Sequence, residues 1–337
     1  GQTCISSLIF PPLSSFIHYP NIMKPQTLTA TLIIPVIFIS VFACTNNSGS
    51  TVKQEPDTTR VARGKYLVET VGSCMHCHSQ RDFTKFSGPI KEDTKGMGGI
   101  AYPKFGTLYS SNITPDTATG IGGWTDDEIA RAISLGIREN GDTLFPIMPY
   151  YDYNKMSKED VYSIVAYLRT LKPIINKIPE RKLKSPAGPE HDHYEFTAIG
   201  DNLLPAANDT IQTGEYLARV GACISCHTPK TEDDHMIADS SYAGGDMMGQ
   251  KFGFRVSSPN ITPDSATGIG SWTQTSFVDK FISYRNPVTY TYDPGKQNTI
   301  MPWITFGQMT DSDLKAIYAY LKTIKPIQNK VEKWAGK

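Results

Sequence analysis

Apolar residues recur at helical spacing in two places far apart in the chain. Val161, Ile164, Val165, Leu168 and Leu171 make one stripe, and Leu314, Ile317, Tyr318 and Leu321 another. Each is the pattern of a single buried face at a period of 3.6 residues. Ser157 and Thr310 stand just ahead, each followed three residues later by an Asp, which places a hydroxyl and a carboxylate to satisfy the free N–H groups of a first turn. Pro173 and Pro326 stop both stripes, since proline cannot continue a helix. A second pair of helices is predicted around Gly64-Lys65-Tyr66-Leu67 and Gly214-Glu215-Tyr216-Leu217. The missing side chains of Gly64 and Gly214 would let another helix come close, so opening and closing helices are expected to cross there.

These helices bracket a chain written twice. The segment Asn112-Ile113-Thr114-Pro115-Asp116, then Thr119-Gly120-Ile121-Gly122 and Trp124, recurs as Asn260 to Asp264, Thr267 to Gly270 and Trp272. Met148-Pro149 recurs as Met301-Pro302, and Ala166-Tyr167-Leu168 as Ala319-Tyr320-Leu321. The period is about 150 residues, so each copy has the size of a domain rather than of a solenoid repeat. The reading is a mainly α protein with one domain over 60–173, a second over 209–327 and a tail over 328–337. Between the domains, 174–208 holds Pro179, Pro186, Pro189 and Pro205 without helical periodicity and reads as a surface linker.

The front of the chain has a different pattern. From Met23 it runs through Lys24 into an apolar stretch, Leu28 to Phe42, and then Ala43-Cys44. A positive residue, a short apolar region and a small residue before a cysteine is the layout of an export signal, and the stretch is short for a membrane span. The Val41-Phe42-Ala43-Cys44 ending resembles the lipobox of bacterial lipoproteins, with Phe42 bulkier than the usual residue there. Residues 1–43 are read as a leader, of which 1–22 is upstream sequence, with Cys44 lipidated and 44–59 a flexible polar tether. The alternative is an uncleaved anchor helix. Either places the domains outside the cytoplasm, and the first on the periplasmic side of a bacterial membrane.

Composition then narrows the chemistry. Of 337 residues, 39% are hydrophobic and 20% charged, enough apolar content for packed cores. Lys+Arg and Asp+Glu balance at 33 each, without the basic excess that nucleic acid binding requires. Six cysteines could make disulfides in an exported protein, but Cys74 with Cys77 and Cys223 with Cys226 are close pairs that close no loop. Cys4 is given no role.

Both pairs continue into histidine: Cys74-Met75-His76-Cys77-His78 and Cys223-Ile224-Ser225-Cys226-His227. Cys-x-x-Cys-His is the attachment sequence of c-type haem. Two cysteines one turn apart reach the vinyl groups, and the histidine binds iron from below. A zinc site would need two further repeated ligands per copy, and none repeats. A thioredoxin-like dithiol would need alternating strands and helices. Two covalent haems c are therefore expected, with His78 and His227 as proximal ligands. For the opposite face the candidates are Met148 and Met301, each before a proline, against the equally repeated Met156 and Met309. The latter sit where a residue packs back on a helix's first turn as a hydrophobic staple, so Met148 and Met301 are favoured. Trp124 and Trp272, with Asn112 and Asn260, have two readings: they hold the haem edge and its propionates, or they only wall the crevice. His76, His191, His193 and His235 receive no assignment.

On these motifs the chain resembles the cytochrome c subunits of bacterial membrane-bound alcohol, aldehyde and gluconate dehydrogenases, over nearly all of 60–326. The Phe145-Pro146-Ile147-Met148-Pro149-Tyr150 segment and the Thr-Gly-Ile-Gly-x-Trp blocks carry the likeness best. Those subunits typically have three haem motifs, and this chain has two. The resemblance implies two tandem class I cytochrome c domains, each wrapped around one haem. It implies Cys74, Cys77, His78 and Met148 for the first haem, and Cys223, Cys226, His227 and Met301 for the second. The expected work is electron transfer from a dehydrogenase to a cytochrome or oxidase acceptor. The alternative is a dihaem enzyme of the peroxidase or thiosulfate-oxidising type, which would need an open or exchangeable sixth position.

Overall fold

In the computed structural model, residues 57–184, 199, 202, 204–232 and 234–334 are described. Cys44, the leader and most of the tether lie outside them, as do 185–198 of the predicted linker, with His191 and His193. Among the described residues, five α-helices lie in the first half: α1 (Thr58–Tyr66), α2 (Met75–His78), α3 (Asp126–Leu135), α4 (Tyr150–Tyr153) and α5 (Lys158–Leu168). Five follow in the second: α6 (Thr210–Val220), α7 (Cys223–His227), α8 (Gln274–Ile282), α9 (Trp303–Phe306) and α10 (Asp311–Leu321). Strand content is slight. β1 (Gly106–Thr107) pairs antiparallel with β2 (Lys182–Leu183), and β3 (Met247–Met248) with β4 (Val256–Ser257). Among the described residues, no helix is long and apolar enough to cross a membrane.

The predicted helix crossings are present, and their closeness explains the glycines. A Cβ on Gly64 would sit 1.8 Å from the Ser163 carbonyl oxygen, and one on Gly214 1.9 Å from that of Ala316. Only a residue without a side chain lets α1 lie on α5, and α6 on α10, at this separation. The closing helices are capped as expected: Ser157 Oγ accepts from Asp160 N at 3.2 Å, and Thr310 Oγ1 from Asp313 N at 3.1 Å. Around the crossings, Leu67, Val68, Val161, Val165, Leu217, Leu314 and Leu321 are almost wholly buried.

Besides the short α4 and α9, two longer helices were not anticipated. α3 and α8 begin directly after Trp124 and Trp272, behind Thr125 and Thr273. Thr125 exchanges hydrogen bonds with Glu128, and Thr273 with Ser276, which are capping boxes. Hydrogen bonds to the loop of each half extend past the expected boundaries at 173 and 327. Ile174 N donates to Thr114 Oγ1 and Asn176 N to Thr119 Oγ1. Ile327 and Asn329 do the same to Thr262 and Thr267. The start of the linker and of the tail are thus one repeated segment, Lys-Pro-Ile-x-Asn-Lys, fastened to the loop of its own half; each chain end spends its amides there instead of leaving them to water.

The described residues belong to one compact unit, and the halves exchange contacts reciprocally. Tyr66 donates to Asp313 Oδ2 at 2.5 Å, and Tyr216 to Asp160 Oδ2 at 2.6 Å. The same two hydroxyls accept from Thr310 N and Ser157 N. Asp160 is buried and also takes both Arg63 Nε and Nη2, at 2.8 and 2.7 Å, so this charge is paired and hydrogen-bonded as burial requires.

Candidate haem sites

In each half the chain turns sharply between the opening helix and the cysteines. Leu67–Val71 winds as a π-helical turn, and Ser73 (φ 44°) and Ala222 (φ 50°) adopt left-handed backbone immediately before Cys74 and Cys223. Left-handed non-glycine residues are costly and gather at functional turns. Here they separate the opening helices from α2 and α7. Within these single turns the i and i+3 cysteines share a face, and all four line one cavity. None of the four is in a disulfide.

Histidine orientation is set by backbone. His78 Nδ1 lies 2.7 Å from the Ser111 carbonyl oxygen, and His227 Nδ1 2.9 Å from that of Pro259. A carbonyl only accepts, so Nδ1 carries the hydrogen in both rings and Nε2 holds the free lone pair. Burial lowers both pKa values below the ordinary 6.5, which keeps that lone pair available. A donor Nδ1–H fixed to a carbonyl is the usual support of a metal-ligating imidazole. Burial also pushes the thiols of Cys74 and Cys223 up to about 12 and that of Cys226 to about 11. Thiols raised in this way are poor nucleophiles, unlike the attacking cysteine of a redox dithiol. Among the described residues no three His, Cys, Asp or Glu side chains converge on a possible metal position.

Ser111 and Pro259 each directly precede the repeated Asn, and this gives Asn112 and Asn260 their work. Asn112 Oδ1 accepts from Thr114 N and Oγ1, while its amide donates to Thr119 Oγ1 and the Ile174 carbonyl. Asn260 makes the same four bonds with Thr262, Thr267 and Ile327. Both amide hydrogens and the acceptor oxygen make their bonds inside the loop. In both halves these asparagines brace the loop whose preceding carbonyl aims the histidine. Asn112 does not line the cavity, although Asn260 does.

The cavity has a volume of about 1650 Å³ and runs through both halves, beyond the ~300–1,000 Å³ of a single-ligand pocket. Met148 and Met301 line it with Trp124 and Trp272. Met156 and Met309 are instead 0% and 2% exposed within the apolar cores. The attachment turns of the halves are close: a Cβ on Gly221 would lie 3.4 Å from the Val71 carbonyl oxygen. Between each cysteine pair, His76 and Ser225 face the other half. His76 Nε2 is 3.5 Å from Thr305 Oγ1, and Ser225 Oγ donates to Asp152 Oδ2 at 3.3 Å. Sequence reasoning gave His76 no role, and its contact with α9 makes it an interface residue.

Thiols in pairs, an aimed neutral imidazole and a thioether in one largely apolar cavity fit covalently held haem c. Residues 211–325 match the cytochrome c family, and such a domain implies covalent haem c. The chain is 30% identical over 292 residues to the cytochrome c subunit of the quinone alcohol dehydrogenase of Gluconacetobacter polyoxogenes, covering 83% of this chain and 59% of that one. It is 30% identical over 277 residues to the gluconate 2-dehydrogenase cytochrome c subunit of Pantoea cypripedii, with 78% and 59% covered. A "diheme cytochrome c-type" protein of Cereibacter sphaeroides is 28% identical, with 82% and 92% covered. The chain's homologues are thus dehydrogenase cytochrome c subunits, and it spans 59% of the length of the first two.

Proposed function

We propose that this chain is a dihaem electron carrier, one cytochrome c domain in each half, that takes electrons from a dehydrogenase and passes them to a cytochrome or oxidase acceptor. Cys74 and Cys77 hold the first haem between His78 and Met148; Cys223 and Cys226 hold the second between His227 and Met301. The observation that carries this reading is the duplicated constellation: in both halves an imidazole aimed by the carbonyl ahead of the Asn shares the cavity with the Met that precedes Pro. The haems would supply the one-electron iron couple, and thioether ligation raises its potential. The protein's own part is to hold the histidines neutral, bring the thioethers to the cavity and wall it with Trp124 and Trp272. A dehydrogenase donor is supported by the names of the relatives. Export and lipidation at Cys44, on the periplasmic side, rest on the sequence pattern of the leader.

Covalent haem content tests the proposal. Denatured protein extracted with acid and organic solvent should retain two haems per chain, and Cys74→Ala with Cys77→Ala should retain one. Release of both haems from the wild type would refute covalent attachment, and retention of one would refute the count.

A further inference from the structure

The two methionine loops are not held alike. Each Met carbonyl accepts a local bond, Met148 from Tyr150 N and Met301 from Trp303 N, both at 2.8 Å. The Met301 carbonyl takes a second from the other half, the hydroxyl of Ser87, at 2.6 Å. Ser87 is 1% exposed, and its backbone is left-handed (φ 59°). Asn298, wholly buried in the Met301 loop, is fastened to the same stretch of the first half. Its Oδ1 accepts from Ser87 N at 2.9 Å, and its amide donates to the Phe83 and Lys85 carbonyls at 3.0 and 3.1 Å. Arg81 Nη2 reaches the Ile300 carbonyl at 3.3 Å while bonding the Ser87 carbonyl at 2.6 Å.

The source of this clamp is the loop after the first histidine. It is longer in the first half: the amide that bonds the histidine carbonyl belongs to Gly98 for His78, 20 residues on, and to Gly244 for His227, 17 residues on. The longer loop reaches over the second half and closes on residues 298–301. Phe86 stacks there between Tyr284 and Tyr292, with centroids 5.8 and 5.6 Å away.

We propose that Ser87, supported by Asn298 and Arg81, is a positioning residue of the first half for the sixth ligand of the second haem, so that Met301's hold on its iron depends on the neighbouring half. This deepens the function proposed above and rests on Met301 being a ligand. Ser87 touches the ligand's own carbonyl, one residue's backbone from the thioether, so losing the hydroxyl frees the loop segment that carries the sulfur. Removing one buried hydrogen bond, with a net worth of ~0.5–1.5 kcal/mol, should raise the population with Met301 off the iron roughly 2- to 13-fold.

The test uses ferric holoprotein in a Met148→Ala background, so that the remaining sulfur-to-iron near-infrared band belongs to one haem. Added imidazole competes for the sixth position. Ser87→Ala and Ser87→Gly should each bind imidazole at that haem roughly 2- to 13-fold more tightly, and its potential should fall. Ser87→Gly relaxes the left-handed backbone, so it separates positioning from folding: a merely structural serine would leave imidazole affinity unchanged there. Met301→Ala, made in the wild-type background, should remove one of the two bands. If it does not, the ligand assignment falls. If it does, and both Ser87 variants bind imidazole like their parent, the positioning role alone falls. Equal tightening at the Met148 haem, measured with the Ser87 variants in the wild-type background, would also overturn it.

Discussion

The helix crossing at Gly64 allows a worked prediction. A methyl group there would lie 1.8 Å from the Ser163 carbonyl oxygen, 2.5 Å from its carbon and 2.8 Å from Tyr167 Cβ. Ordinary heavy-atom contact is about 3.5 Å, so α1 and α5 would have to separate by roughly 1.5 Å, and two of the three obstructing atoms are backbone that no rotamer change can move. Overpacking costs about 1–3 kcal/mol where side chains can adjust, and this site belongs at the upper end. Alanine also gains about 1 kcal/mol over glycine inside a helix. The net expectation for Gly64→Ala is a loss of about 2 kcal/mol, and the same for Gly214→Ala against Ala316. Gly123→Ala is the control, because its nearest heavy atom would be 3.8 Å away. Denaturant unfolding of the ferric holoprotein, followed by helical circular dichroism, gives the midpoints. A Gly64→Ala midpoint equal to or above wild type would refute the close crossing, since propensity alone predicts that gain.

Further predictions concern the ligands, pH and the N-terminus. Met148→Ala should abolish the near-infrared band of one haem and lower its potential, whereas Met156→Ala, in the core, should cost about 2–5 kcal/mol of stability with the band intact; the reverse pattern would exchange their roles. Burial raises Asp152 from its ordinary 3.8 to about 6, so its contribution to stability is fully present below the unfolded value and is lost as pH rises through about 6. Asp152→Asn should therefore gain on wild type in denaturation midpoint between pH 4 and 7, and parallel profiles would count against a buried carboxyl. Cys44→Ser should block lipid modification seen by mass spectrometry while both haems stay attached; a wild-type protein without acyl groups would end the lipoprotein reading.

What was legible in the sequence was local. Gly64 and Gly214 announce a close approach because no other residue tolerates it, Ser157 and Thr310 announce helix starts, and Cys-x-x-Cys-His combines three residues whose spacing has one common use. What was missed falls into two kinds. Thr125 with Glu128, and Lys-Pro-Ile-x-Asn-Lys in both halves, were written in the chain and passed over: the first beside a more prominent Trp motif, the second beyond a proline taken as an end. The carbonyls of Ser111 and Pro259 are of the other kind. Every residue has a carbonyl, so no side-chain pattern marks the one that orients a histidine; the same holds for the Met301 carbonyl that Ser87 reaches from 214 positions away.

Reciprocity between the halves explains why they do not behave as beads on a linker. Tyr66 and Tyr216 belong to the same repeated Gly-x-Tyr-Leu element, and each completes the first turn of the closing helix in the other half, donating to Asp313 or Asp160 and accepting the cap-residue amide. His76 and Ser225, at matching places between the cysteines, each meet the short helix after the other half's Met-Pro. Residue i meeting j while j's counterpart meets i's is the rule of an isologous two-fold interface. A duplication that keeps such an interface has to keep both copies docked, because separation would strip the Tyr216 hydroxyl from the buried Asp160 carboxylate and leave Arg63 to balance it alone. The departures from symmetry then stand out against that frame. Arg63 pairs with Asp160 where its counterpart in the second copy is Thr213, and the lengthened loop carrying Ser87 closes on Met301. Both lie where the first half has a hold on its neighbour or itself beyond what the repeat supplies, so the Met148 and Met301 loops are supported differently, and if each Met holds an iron as proposed, a difference in ligand strength would follow from the protein around them.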